Sequence, residues 1–128
     1  MHDFHAWISL AQSPFEDDDD LFAQGVEEVR SYLAGADFHT SVFELKTFNG
    51  ATVVLANGLV NRIRVESEFL DGLLALVARV LPGSHGLVYD RADELPGPNS
   101  FRVRVLARGV LTERGDPFLS PCNPVIED

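Results

Sequence analysis

The sequence is short of cysteine, of basic residues and of long hydrophobic runs, and each shortage excludes a class of protein. Its single cysteine, Cys122, cannot form a disulfide within the chain, which is typical of proteins in a reducing cytosol. No apolar run approaches the roughly 20 residues that a membrane-spanning helix needs. The opening MHDFHAWISL lacks the basic start of a secretion signal. We therefore expect a cytoplasmic protein that does not insert into a membrane.

Acids outnumber bases two to one: twenty Asp and Glu face ten Lys and Arg, which gives a formal net charge of −10. Proteins bind nucleic acids and anionic lipids largely through Lys and Arg, which neutralise the phosphates. The excess of acids over bases therefore argues against both as ligands. A partner with a basic surface would be attracted instead. Solubility alone explains an acidic composition equally well.

Apolar residues are abundant: they make up 45% of the 128 residues and include nine phenylalanines. A chain of this length supports one hydrophobic core rather than two. We therefore predict a single domain, residues 1–128, whose extended C-terminal segment, residues 115–128, packs on the body.

Alternating apolar residues predict strands over residues 4–11 and 86–91. The clearest local signal is Asn49-Gly50 between two further alternating runs, because this pair favours a two-residue hairpin turn. A second such pair, Asn57-Gly58, is predicted to end the outgoing strand. The run SFRVRVLARG also alternates, and the side chains predicted to face the core are Phe101, Val103, Val105 and Ala107.

Helical spacing of apolar residues predicts two helices. The first is predicted to begin near residue 18, where acids suit the positive end of the helix dipole, although Ser13 offers an earlier capping box. Gly35 is its predicted stop, and the second helix spans residues 65–81. The order β-α-β-β-α-β-β predicts an α+β two-layer sandwich, in which two helices cover one face of a mainly antiparallel sheet of about five strands.

Signals for catalysis or metal binding are thin. His2 and His5 point to opposite faces of a strand, and the run of four aspartates lacks the alternating ligands and glycine of a calcium loop. Cys122 has no neighbour in sequence that would lower its pKa. Asp93 and Glu94 could act as acid and base only if burial changed their pKa values. We predict no catalytic residue, no metal and no cofactor.

The only tryptophan, Trp7, alternates with the apolar set of the first strand and so faces the other way. If one sheet face is open, Trp7 would share it with Arg102, Arg104 and Arg108, and such residues commonly anchor protein interfaces. The alternative is that the arginines pair with surface acids. In that case the apolar C-terminal residues Phe118 and Leu119 would shelter Trp7.

Five stretches together resemble the bacterial immunity protein 7 family, in the same order and nearly from end to end: WISL, NGLVNRIR, PGSHGLVYDRADE, NSFRVRVLARG and DPFLSPCNPVIED. The last of them is the most distinctive. Proteins of this family are small α+β inhibitors encoded beside polymorphic toxins. The resemblance implies a protein that binds and neutralises a cognate toxin C-terminal domain without catalysis, a nuclease being one class of target. An acidic inhibitor could block the basic active site of such an enzyme.

Residues of shared motifs, such as Asn57-Gly58 and Asp116-Pro117-Phe118, are expected to hold the fold. Toxin specificity is expected in the acidic parts outside them. The candidate toxin contacts are Asp17, Asp18, Asp19, Asp20, Asp93, Glu94, Glu127 and Asp128. The face of Trp7, Arg102, Arg104 and Arg108 is the second choice. A ligand-binding or adaptor domain that uses the open sheet face remains the alternative function.

Overall fold

The structure, a computed structural model, describes residues 1–13, 18–61, 65–95 and 99–121. Two helices and six strands follow one another along the chain: β1 (His2–Ser9), α1 (Asp19–Leu33), β2 (Ser41–Phe48), β3 (Ala51–Val60), α2 (Val65–Val80), β4 (His85–Ala92), β5 (Arg102–Ala107) and β6 (Val110–Gly115). The predicted α+β class and the predicted order of elements are confirmed, and β6 follows as an additional strand.

All six strands form one antiparallel sheet in the order β2-β3-β1-β4-β5-β6. The strands β1 and β4 are the middle pair, so the N-terminal strand lies at the centre of the sheet. The last strand follows a two-residue turn in which Arg108 and Gly109 have φ values of 54° and 74°. Such values suit the mirror-image turns that join hairpin strands.

Both helices pack on the same face of the sheet. The start of α1 near residue 18 is confirmed, because the side chain of Asp18 caps the helix by accepting a hydrogen bond from the Leu21 amide. The helices lie antiparallel: Gly25 of α1 is against Leu81, just after α2, and the Tyr32 hydroxyl donates to the Phe69 carbonyl oxygen over 2.7 Å. Neither helix is long and apolar enough to cross a membrane.

The core fills the space between the helices and the sheet. Its sheet side comes from alternate residues of the central strands, such as Phe4 and Ile8, and its helix side from residues such as Val29, Leu73 and Val77. These side chains are fully buried, and this burial supplies most of the driving force for folding. The opposite sheet face carries neither helix.

Two Asn-Gly pairs behave differently. Asn49 and Gly50 have φ values of 50° and 85° and form the predicted hairpin turn, which is confirmed. Asn57-Gly58 was predicted to end a strand, and this prediction is wrong, because β3 continues to Val60. Gly58 lies opposite Phe4 in the sheet, and a Cβ atom at this position would collide with the Phe4 ring. Here glycine provides room for an aromatic side chain.

Candidate functional site

The outer surface of the two helices is acidic and carries eight of the twenty Asp and Glu residues of the chain. We call this surface the acidic helix layer. Among the described residues of α1, its cap and α2, two are basic, Arg30 and Arg79, and eight are acidic: Asp18, Asp19, Asp20, Glu27, Glu28, Glu66, Glu68 and Asp71. All eight lie at least partly in solvent, so their field acts on approaching molecules.

Several of these acids also stabilise the helices. Asp18 caps α1, and Asp19 and Asp20 occupy its first turn, where the dipole favours negative charge. Glu66 and Glu68 have the same place in α2. In contrast, Glu27 and Glu28 lie in the middle of α1, away from the helix dipole's positive end, and Glu27 forms an exposed ion pair with Arg30 over 3.4 Å.

A groove of about 680 Å³ runs between the two helices. Its lining combines acidic, basic and apolar side chains: Gln24, Glu27, Glu28, Ser31, Tyr32, Leu76 and Arg79. Desolvation, and then the nearby Asp71 carboxylate, raise the pKa of Tyr32, so its hydroxyl stays protonated and continues to donate to the Phe69 carbonyl. Leu76 and the Tyr32 ring give the groove apolar surface between charged rims.

The groove continues along α1 toward its N-terminus. A smaller cavity of about 140 Å³ shares Gln24 and Glu28 with it. This cavity shares Gln12 with a depression of about 290 Å³ that is also lined by Asp18 and Asp19. Acids from both regions of α1 therefore line neighbouring cavities on this side of the molecule.

The predicted acidic contacts do not form one patch. Asp18, Asp19 and Asp20 lie beyond the end of β1, while Asp93 and Glu94 lie beside its start, within ion-pair distance of the Met1 amino group. The eight residues of β1 separate them by about 25 Å at a rise of ~3.3 Å per residue. Asp17, Glu127 and Asp128 lie outside the described residues.

The grouping of Trp7 with Arg102 and Arg104 is wrong. Arg102 is paired in the sheet with Asp90, and Arg104 with Val88, so both arginines face the helices. The side chains of β5 alternate as predicted, but the set that faces the core is the opposite one. Leu106 packs in the core, whereas Val103 and Val105 face away from it. Arg108 lies in the turn between β5 and β6, outside either set.

The two arginines can lie on the helix side because they form hydrogen-bonded ion pairs with carboxylates there. Fully buried Asp90 accepts hydrogen bonds from Arg102 Nε over 3.0 Å and Nη2 over 2.7 Å, and its Oδ2 lies 2.9 Å from His2 Nε2. Arg104 Nη1 donates to Asp71 over 2.7 Å. Desolvation raises the pKa of Asp90, but the bonds from His2 and Arg102 and the charges of Arg102 and Arg104 outweigh it and leave this pKa below its usual value.

The other side of the sheet, which we call the open sheet face, is mainly apolar. Strand register places these side chains on it: Val42, Phe48, Val53, Leu55, Leu59, Trp7, Leu87, Tyr89, Val103, Val105 and Val110. Trp7 is 45% exposed and makes an edge contact with His85, with ring centroids 6.2 Å apart. Within the strands, the charged residues of this face are Asp3, Glu44, Lys46, Arg91 and Arg114.

A turn after β6 anchors the described part of the C-terminal segment. The Asp116 carboxylate accepts hydrogen bonds from the Phe118 and Leu119 amides and from the Ser120 hydroxyl. Desolvation raises its pKa, but hydrogen bonds from Tyr89 and from these three groups lower it to about 2. Phe118 and Leu119 are 84% and 60% exposed, so these two side chains are not buried against the body as expected. Packing of the whole segment stays a prediction, since residues 122–128 lie outside the described part of the chain.

The family model described as Immunity protein 7 matches residues 1–128, which is the entire chain. The chain belongs to the immunity protein 7 family. No curated protein and no solved structure gives a significant match. Membership in the family implies an immunity protein against polymorphic toxins, and proteins of this kind are generally not catalysts.

Two stretches that carry the likeness to the immunity protein 7 family have structural roles in the described residues. Gly58 makes room for the Phe4 ring, and Asp116 organises the turn after β6. Across residues 1–13, 18–61, 65–95 and 99–121, no group of three or more His, Cys, Asp and Glu side chains could hold a metal ion. As predicted, His2 and His5 are on opposite faces, one against Asp90 and the other between Asp3 and Asn57.

Proposed function

We propose that this immunity protein neutralises its cognate toxin by presenting the acidic helix layer to a basic surface of the toxin, which it blocks without catalysis. One observation carries the proposal: the described residues of α1, its cap and α2 include eight acids and two bases. A one-sided field of this kind orients a basic partner before contact and raises the rate of productive encounter.

The groove between the helices supports short-range recognition. Glu27 and Glu28 can accept hydrogen bonds from Lys or Arg side chains of the toxin, and an Arg guanidinium binds a carboxylate in two places. The surface of Leu76 can take the aliphatic part of the same side chains. Steering by charge and binding in the groove thus act on the same face.

The charge also bears on the class of target. Enzymes that act on nucleic acids bind phosphates with Lys and Arg, so their active sites are basic. The acidic helix layer offers carboxylates in place of phosphates, and we therefore propose a nuclease toxin domain. Of the candidate contacts, Asp18, Asp19 and Asp20 belong to this face, whereas Asp93 and Glu94 lie at the far end of β1 and are a secondary contact at most.

Co-expression tests immunity directly. The toxin C-terminal domain encoded beside this protein is expressed with and without it in the cytoplasm of a bacterial host, and survival and co-purification are scored. We expect rescue together with a stable complex. Death of cells that contain soluble immunity protein would remove that toxin as the target.

The binding face is tested by association kinetics. We expect Glu27→Gln with Glu28→Gln to slow association about tenfold at low salt and to flatten its salt dependence, because the steering field is reduced. The control is Asp93→Asn with Glu94→Gln, which removes equal charge at the other end of β1. Equal slowing by both pairs would contradict a role for the groove and leave only the net charge.

A further inference from the structure

The open sheet face has the composition of a contact surface. Trp7 is 45% exposed at its centre, and Phe48, Leu59 and Val110 are each more than half exposed toward its edges, at 54%, 58% and 56%. Monomeric proteins seldom show so many large apolar side chains on one face, and such patches commonly mark sites of protein association.

Its charge suits a second copy of the same chain. Two acids, Asp3 and Glu44, are balanced by three bases, Lys46, Arg91 and Arg114. The acidic helix layer would repel another copy, since each chain has a net charge of −10. The open sheet face is nearly neutral, so it is the broad surface through which two copies can approach each other.

The register of the sheet makes this face complementary to itself. Consider a two-fold axis that runs along the strands between two such faces. Because β1 and β4 are the middle pair of six strands, this axis places β1 of one copy over β4 of the other. Asp3 of β1 and Arg91 of β4 are paired in the sheet and so lie at the same height along the strands. The rotation does not change this height, so Asp3 of one copy lies over Arg91 of the other.

The same rotation matches apolar residues. Trp7 is level with Leu87, so it meets Leu87 of the second copy. Leu55 of β3 and Val105 of β5 occupy this level too, and they face each other across the axis one strand farther out. An apolar centre with charges of opposite sign at one end is the arrangement found in stable interfaces.

Arg91 has capacity for such a contact. Its guanidinium lies over the Phe101 ring, 5.6 Å from the centroid, and its Nε is buried without a hydrogen-bond acceptor. Asp3 directs its Oδ1 to His5 over 2.7 Å rather than to Arg91. Arg91 is partly exposed, so a carboxylate from a second copy can form an ion pair with its guanidinium.

We propose that the open sheet face binds a second copy of this chain, in a two-fold dimer with the strands of the two sheets packed face to face. Six strands at ~4.8 Å spacing and about seven residues of each strand give a contact of roughly 550 Å² per copy. This is less than the ~800 Å² per partner of a standard interface, so the expected dissociation constant is micromolar. The acidic helix layers lie on the outside, separated by two sheets and thus by more than a Debye length of ~8 Å.

The decisive experiment mixes two charge reversals. Sedimentation velocity of the full chain is measured for wild type, Asp3→Arg, Arg91→Asp, and an equimolar mixture of the two variants, with circular dichroism as a check on folding. We expect a concentration-dependent dimer for wild type and at least about tenfold weaker self-association for each variant, since like charges then oppose each other. Association should return in the mixture, because each reversed charge meets its opposite only between different chains.

A second pair of variants locates the apolar centre. Trp7→Glu adds one negative charge on the open sheet face, where Trp7 is 45% exposed. Leu21→Glu adds the same charge on α1, where Leu21 is 47% exposed. We expect Trp7→Glu to abolish the dimer and Leu21→Glu to retain it. The wild-type dimer should also show a blue shift of the emission of Trp7, the only tryptophan.

Three results would overturn the proposal. A wild-type protein that stays monomeric up to about 200 µM, well above a micromolar dissociation constant, excludes the dimer. If that monomer loses toxin binding through Trp7→Glu, the face belongs to the toxin. A mixture that fails to associate while wild type dimerises excludes the contact between Asp3 and Arg91. The first and third results, which concern self-association alone, do not depend on the proposed toxin function, which co-expression tests separately.

Discussion

The two faces of the sheet reverse the usual relation between polarity and exposure. The face under the helices buries Asp90 completely and Arg104 nearly so, whereas the open sheet face leaves Trp7 and Leu59 in solvent. Buried charges persist only where partners compensate them, and Asp90 has Arg102 and His2 within hydrogen-bonding distance. Exposed apolar side chains persist where a partner gains from them.

This difference separates what holds the fold from what is free to bind. The charges of the helix side are engaged with one another, so replacing them should change stability first. The open sheet face and the acidic helix layer contribute little to the core, so changes there should affect association first. Substitutions with matched controls can test each half of this division.

The largest expected effect comes from Asp90→Asn. The amide keeps the shape of the carboxylate but removes the charge between Arg102 and Arg104, and leaving buried cations uncompensated typically costs about 3–5 kcal/mol. Urea unfolding measures this loss. The control is Asp71→Asn, which removes the 57% exposed partner of Arg104 and should cost about 1 kcal/mol or less. Similar losses for the two variants would contradict the buried role of Asp90.

Acid unfolding gives the same substitution a second readout. The pKa of Asp90 is lower in the folded chain than its ordinary value, so in that interval the unfolded chain binds more protons. The stability from this group is therefore complete above the ordinary aspartate pKa of about 3.9, and it is lost as pH falls through the lower folded value. We expect the stability of Asp90→Asn to decline less steeply below pH ~4 than that of wild type.

The sequence predicts the elements well because each has a local signal. Helical spacing, the Asp18 cap and the Asn49-Gly50 turn depend on neighbours within a few residues. The phase of β5 depends on distant residues instead. Its alternation separates two sets of side chains without saying which faces the helices, and only pairing with β4 shows that Asp90 lies opposite Arg102.

The acidic candidate contacts stay a prediction, and their positions could not be read from the sequence. The acid count fits a basic partner or solubility alone, and Asp18, Asp19 and Asp20 belong to the acidic helix layer. No local pattern tells that Asp93 lies about 25 Å away at the other end of β1, because strand order sets this separation. Nor does any local pattern bring Glu28 and Leu76 to one groove, since that requires the pairing of α1 with α2.

A smaller loss is expected from Gly58→Ala. The added methyl group would meet the ring of fully buried Phe4, and overpacking of a core costs about 1–3 kcal/mol. Gly115→Ala is the control, because a Cβ atom there meets nothing within 4 Å. Phe4→Leu in the same chain as Gly58→Ala should recover part of the loss. A strictly additive double variant in thermal unfolding would refute the contact.

The smallest expected change in stability concerns Asp18, which caps α1 and also contributes charge to the acidic helix layer. Asp18→Ala removes the side chain that accepts from the Leu21 amide, and loss of such a cap costs about 1 kcal/mol. Asp18→Asn removes the same charge but keeps an acceptor, so it should stay within a few tenths of a kcal/mol of wild type. Chemical unfolding of the two variants measures the cap, and toxin association measures the charge. If Asp18 both caps the helix and attracts the toxin, the two variants will differ in stability but slow association equally. Equal stability of the two variants would show that the cap contributes nothing.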